Sequence, residues 1–434
     1  MKPLGKMLGL ALLPLSIAAV SSPIAYADDG SGGPRKDEQL RLKKTINVGG
    51  KLAAFDISFV DPKIELYILA DRTNASVDLF DSEEAEFIGR VGSVCPPGNP
   101  APHFCFQGVV LNANGTANNA LSGPDGDIVV DHKEIWAGDG DSRVKVIDIA
   151  TRSFVTTIST GGKFRVDEMA YDPRDHLLAA ANNADDPPFV TMFDTVGKAI
   201  KGVPLVFKTG SPNANVDATN GIEQPQWSPE TGMFYVSVPQ VGSDPSVGGV
   251  SIIDPIAMKV TGTFLVKNCS PAGLAVGPHH QALVGCGGAF GSPATTRSII
   301  IDITSQDFAN VDGAVVASVP IGGSDEVWYD PGTQHYFLAA RANTDSTGKV
   351  TPILGSIDAL TNQLDPSATS STTAHSVAAD RNSHNVFLPI GAVSSAASDP
   401  GNPCPNTGCV AVFRARPEPG RERVAEKGSM FDHD

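Results

Sequence analysis

Between residues 50 and 413 short apolar runs alternate with polar turns, and the alternation itself recurs seven times. Each unit opens on an acidic, polar or small residue, passes through a short apolar run, and turns at Asp-Pro or a close variant. The openings include Asp56-Ile57-Ser58-Phe59-Val60-Asp61-Pro62, Asp167-Glu168-Met169-Ala170-Tyr171-Asp172-Pro173 and Asp325-Glu326-Val327-Trp328-Tyr329-Asp330-Pro331. A second β-type run follows, and a third ends in Asp, as in Val77-Asp78-Leu79-Phe80-Asp81, Val144-Lys145-Val146-Ile147-Asp148 and Ser298-Ile299-Ile300-Ile301-Asp302. Repeats of this length, each with room for four short strands, predict an all-β fold: one seven-bladed β-propeller spanning 42–414.

The turn anchors Asp61, Asp131, Asp172, Ser228, Gly277, Asp330 and Asp380 lie 70, 41, 56, 49, 53 and 50 residues apart. The shortest interval sets the bare blade. The 70-residue step carries an insertion rich in Pro, Gly and Asn between Cys95 and Ser122, which reads as an ordered loop. A ring also needs a closing device, because a linear stack leaves two unpaired edges. The pattern Thr156-Thr157-Ile158-Ser159-Thr160-Gly161-Gly162 recurs early as Lys44-Thr45-Ile46-Asn47-Val48-Gly49-Gly50, whereas the last unit stops after Val410–Phe413 without such a strand. Residues 42–48 are therefore expected to complete the seventh blade from outside. The competing arrangements are an eighth, degenerate blade and an open arc.

Residues 1–27 read as a cleavable leader: Lys2 and Lys6, an apolar stretch from Met7 to Val20, then Ala25-Tyr26-Ala27. Pro14 and Pro23 interrupt it, and it is too short for a membrane span. The expected location is periplasmic or secreted, without a membrane anchor. Flexible tails are expected at 28–41 and 415–434. Six cysteines suit an oxidising compartment. Their spacing predicts local pairs, Cys95–Cys105, Cys269–Cys286 and Cys404–Cys409. Loss of Lys2 and Lys6 leaves 30 basic against 48 acidic residues, a net charge of −18. That excess opposes nucleic-acid binding and favours cations wherever carboxylates converge.

Convergence is expected at the channel. The first strand of each blade runs along the axis, so the residue at its start reaches one mouth once per blade. Five positions before the anchors stand Asp56, Gly126, Asp167, Glu223, Ala272, Asp325 and His375. A one-residue shift in the second unit brings in Asp125, and the next position along adds Asp127, Glu168, Gln224 and Glu326. Carboxylates so gathered repel one another unless protons or a cation neutralise them. The expectation is a divalent cation, calcium foremost, on Asp56, Asp125, Asp167, Glu223 and Asp325, with His375 as a further ligand or general base. The plainer alternative is that each Asp bonds turn amides within its own blade. Asp139, Asp141, Asn182, Asn183, Asp185 and Asp186 are weaker mouth candidates, and Trp136, Trp227 and Trp328 read as interblade packing. No nucleophile elbow, zincin motif or phosphate loop is present.

Stretches such as Glu134–Asp148, Leu66–Asp71 and Phe234–Val238 resemble the YVTN-type repeat of seven-bladed propellers, a group that includes exported proteins of unsettled function, lactonase-like enzymes and subunits of quinone-dependent dehydrogenases. Gly221-Ile222-Glu223-Gln224-Pro225-Gln226-Trp227-Ser228-Pro229 and Gly123-Pro124-Asp125-Gly126 are similar to ligand motifs of the six-bladed, calcium-dependent gluconolactonase (SMP-30-like) group. Where that group places Asn, this chain has Ala272. Two function classes follow. One is a metal-dependent hydrolase, lactonase- or esterase-like, acting on a small molecule. The other is a non-catalytic periplasmic module that binds a small-molecule ligand or protein partner at the channel mouth, with an exposed apolar rim.

Overall fold

The second strand of a blade is an unbroken apolar run, as in Leu66–Asp71, Leu177–Asn182 and His335–Ala340, because both of its faces are covered by neighbouring blades. All residues of these three strands are buried. The outer strands alternate instead, as in Ser153–Ser159, since only their inward positions meet another blade. A computed structural model describes residues 40–96, 104–287, 296–393, 399, 401–404 and 406–415 of the chain. The expected leader at 1–27, the segment up to 39 and the tail from 416 lie outside the described residues. Seven antiparallel sheets form there, four of whose strands recur in each blade, and no helix is present among the described residues. The fold is a seven-bladed β-propeller.

Blade 1 is built from Ser58–Asp61, Leu66–Asp71, Ser76–Asp81 and Glu86–Val91. The following blades start their inner strands at Asp127, Met169, Pro225, Pro271, Val327 and Ala378. In blades 3 and 6 the outer strand is split into two short pieces, Ala199–Ile200 with Leu205–Val206 and Gln363–Leu364 with Ala368–Thr369. Pro204 and Pro366 fall in these gaps, and proline cannot donate to a ladder.

The N-terminal strand Arg41–Ile46 pairs antiparallel with Cys409–Arg414 and completes blade 7 from outside. A shared irregularity marks it as a true fourth strand. In blades 1, 2, 4 and 5 one outer-strand residue is bulged out of register: Ile88, Val155, Thr261 and Val316. The closing strand skips Lys43 at the same place. These bulges also account for the exposure of Ile88, Val155 and Val316.

Hydrogen bonds finish the seam. Asn385 Nδ2 donates to the carbonyls of Ser82 (2.8 Å) and Glu83 (3.0 Å), Ser82 Oγ donates to Asp380 (2.5 Å), and Asn382 Nδ2 donates to the Pro62 carbonyl (2.9 Å). The three disulfides are Cys95–Cys105, Cys269–Cys286 and Cys404–Cys409, with no free cysteine, as the spacing predicts. Such pairing is the mark of an oxidising, extracellular environment.

Removing residues 40–48 should bare the edge of Cys409–Arg414 and lower the urea midpoint by several kcal/mol in free energy. Asn385→Ala, which removes both donations from a fully buried side chain across the seam, should cost about 1–3 kcal/mol. An unchanged midpoint in the truncated chain would refute the seam.

Candidate functional site

The inner strands carry the predicted residues to one mouth, and the charges there are met by arginines. Arg72 follows the second strand of blade 1 and bonds both Asp56 and Asp125, with Nε 2.7 Å from Asp125 Oδ1. Arg165 enters from the connection into blade 3; its Nη2 lies 2.6 Å from Asp167 and its Nη1 3.6 Å from Asp56, while Nε donates to Asn183 Oδ1 at 3.2 Å. Arg341 follows the second strand of blade 6 and holds Asp325 at 2.7 Å. His375 stacks on Phe55 with centroids 4.5 Å apart, donates from Nδ1 to the Thr373 carbonyl at 3.1 Å, and turns Nε2 to Asp56 at 3.3 Å. Asp56, Asp125 and Asp167 are thus gathered with two guanidinium groups among them. Glu223 is buried nearby with no hydrogen-bond or ion-pair partner among the described residues.

One residue further in lies a polar floor. Glu168 of blade 3 and Glu326 of blade 6 approach one another closely enough for each to act on the other's ionisation. Gln224 of blade 4 accepts from the amide of Leu274 (2.7 Å) and donates to the carbonyl of Val327 (3.3 Å). Ser376 Oγ reaches Glu326 at 3.4 Å and Ser58 Oγ at 2.9 Å, joining blades 6, 7 and 1.

Burial and charge set the protonation. Burial alone would raise Asp56, but Arg72, a hydrogen bond from His375 and Arg165 together hold its pKa below the ordinary value. Burial, with Arg165 opposing, leaves Asp167 at about 6. Burial followed by Asp167 and Asp325 pushes Glu223 well above the usual range. Burial, followed by Glu326 and Glu223, does the same to Glu168. Burial with Asp325, Asp56 and Asp167 does so to Glu326 although Glu168 opposes it, so both acids of the floor favour the protonated form.

A calcium cage needs six to eight oxygens turned on one point. Among the described residues no group of three or more His, Cys, Asp or Glu side chains stands where it could hold a metal ion. The oxygens of Asp56, Asp125 and Asp167 face Arg72 and Arg165 instead, and a second cation beside those guanidiniums would be repelled. As placed, the five carboxylates do not fit the expected cation.

The weaker candidates have separate duties. Asp139 is buried against Lys145 Nζ, which also donates to the Cys105 carbonyl, while the Gln107 amide donates to Asp139 at 3.2 Å; together they clamp the disulfide-closed insertion onto blade 2. Asp185 caps a turn through the Lys163 amide at 2.9 Å. Trp136 meets Phe193 of the next blade edge to face.

Sequence reading missed the arginines, although a signal was there. Arg72 and Arg341 each stand 16 residues after the inner-strand Asp that they bond. No family model and no curated protein matches the sequence. Among solved structures the chain is similar to one in "Crystal Structure of Mitotic Checkpoint Complex", with 11% identity, a TM-score of 0.53, and coverage of 94% of this chain and 99% of that one. At that identity the likeness carries the propeller fold alone.

Arg165→Ala strands Asp167 in a buried site, while Asp56 keeps Arg72, and should cost about 3–5 kcal/mol in urea unfolding. Arg341→Ala, at a partly exposed pair, should cost about 1 kcal/mol or less. A pH test is available beside the mouth in blade 1, where burial and then Asp71 raise Asp78 to about 8, with Arg90 3.2 Å away. A raised acid stabilises the fold fully below its unfolded value of 3.8 and loses that contribution as pH rises through about 8. Asp78→Asn should therefore flatten the fall in melting temperature between these limits, and an unaltered slope would exclude Asp78 as its source.

Proposed function

We propose that the chain is an exported, non-catalytic binding propeller that takes a small polar ligand at the channel mouth. The observation that supports this most is the arginine set. Arg72, Arg165 and Arg341 pair with four of the five mouth carboxylates within the fold, which suits a preorganised recognition surface of fixed charges. The insertion between blades 1 and 2 adds the exposed apolar side chains Val94, Phe104, Val109 and Leu111 on the connection leading to the mouth, the kind of rim a binding module needs. The leader at 1–27, the three disulfides and the resemblance to the YVTN-type repeat agree with an exported binding protein.

A second reading, a lactonase- or esterase-like hydrolase, draws on one residue. His375 is held through Nδ1 by the Thr373 carbonyl at the edge of the mouth, and its Nε2, 3.3 Å from Asp56, could serve as a base only when turned from that carboxylate to a substrate. The two readings separate in one experiment. Purified protein is analysed for metal and screened against esters and lactones, with and without added calcium chloride, beside His375→Ala and Glu223→Gln. The binding reading expects no turnover above that of His375→Ala and no stoichiometric metal. Turnover lost in both variants would overturn it in favour of the hydrolase.

A further inference from the structure

We propose that Glu223 is the seat for a cationic organic group of the ligand, a primary ammonium or a guanidinium, which takes the place of an arginine that blade 4 lacks. This rests on the binding reading above and names the ligand class for that site.

The repeat itself supports the inference. In blades 1 and 6 the residue directly after the second strand is an arginine, Arg72 after Leu66–Asp71 and Arg341 after His335–Ala340. Each bonds the acid at the start of the inner strand of its own blade. Asp125 shares Arg72 with the neighbouring blade, and Asp167 has Arg165. Sixteen residues after their acids, blades 2 and 3 carry Asp141 and Asn183 and draw on those arginines from elsewhere, whereas blade 4 has none bonded to its acid. Its second strand is Phe234–Val238, and the residue that follows, sixteen after Glu223, is Pro239. The position that delivers a guanidinium in two other blades delivers none here.

Glu223 is nonetheless 7% exposed, so its carboxylate has surrendered most of its water without gaining a partner among the described residues. Its charged neighbours add to the demand, since Asp167 and Asp325 both act against its ionisation and only Arg165 favours it at longer range. Beneath it Glu168 Oε2 and Glu326 Oε1 are buried and unpartnered as well. Among the described residues no guanidinium is bonded to any of these three acids.

An organic cation meets this demand where a metal ion does not. A divalent ion needs several oxygens turned on one point. One carboxylate is enough for a strong charge-assisted bond from an ammonium or guanidinium, and Arg341 on Asp325 already shows that geometry in this ring. Because Glu223 ionises only with difficulty when alone, a bound cation should drive off a proton, and affinity should rise with pH.

The test is calorimetric titration of the full chain with butylammonium chloride and ethylguanidinium chloride, with calcium chloride, sodium butyrate and butanol as comparisons. One of the two organic cations is expected to bind, with proton release. Glu223→Gln should weaken it roughly tenfold or more, and Glu230→Gln, an exposed control, should leave it unchanged. Should Glu223→Gln fail to fold, Pro239→Arg tests the same idea by supplying the missing cation from within, and should abolish binding. Binding that survives either variant, or calcium binding in place of the organic cations, overturns the proposal. Uptake of butyrate or butanol alone, lost in Arg165→Gln, would overturn it while leaving the mouth a binding site. Ester or lactone turnover would instead remove the binding reading on which it rests.

Discussion

Everything at the mouth depends on the pairing of Arg41–Ile46 with Cys409–Arg414. That ladder is what turns seven consecutive sheets into a ring, and only a ring gives its inner strands a common axis. The Asp56–His375 contact joins residues from the first and last blades, and Ser58–Ser376 does the same one layer deeper. Neither contact exists in an open arc. Closure by hydrogen-bonded strand addition also leaves no free edge at the seam, where an exposed pair of strands would invite association with other chains. The buried Asn385, donating to two carbonyls of blade 1, shows how completely the seam is satisfied.

The second constraint is charge near the axis. Blades narrow toward the channel, so groups placed there are desolvated whatever their polarity, and an acid has three ways to persist. It pairs with a guanidinium, as Asp56 and Asp125 do with Arg72; it keeps a proton, as Glu168 does beside Glu326; or it stays unpartnered at a cost, as Glu223 does. The ring uses all three, arranged by blade. Blades 1 to 3 and 6 carry the arginine pairs, and the side facing blade 4 carries the uncompensated acid. The mouth is therefore electrostatically lopsided.

The insertion between blades 1 and 2 is tied to that ring from beneath. Lys145, fully buried, holds the Cys105 carbonyl and Asp139 at once, with the Phe106 ring 5.2 Å from its ammonium. The Arg165 amide donates to the Ala120 carbonyl at 2.9 Å, so the loop and the arginine between Asp56 and Asp167 share a scaffold. The disulfide at Cys95–Cys105 shortens the free length of the loop, and the lysine fixes where the shortened loop lands.

The sequence by itself determined the fold to the level of individual strands. Apolar runs ending in Asp, anchors at Asp-Pro, and the reappearance of the outer-strand pattern at 44–50 are local signals, written with a period short enough to read. Even the bulge at Lys43 falls where alignment of Lys44-Thr45-Ile46 with Thr156-Thr157-Ile158 puts it. The disulfides were legible for the same reason, because each closes a short loop. The site was legible only in part. Sequence placed the acids on one ring because they share an offset within the repeat. It did not say which charge would meet them, since Arg165 reaches its partners from a connection outside the repeat, and Arg72 bonds an acid 53 residues away in the next blade. Those choices are made by side-chain reach across blade boundaries, a distance that only the closed ring specifies. Tertiary structure alone decided that arginines lie among the carboxylates, that Glu168 and Glu326 are buried beside one another, and that the Glu223 carboxylate stands without a partner.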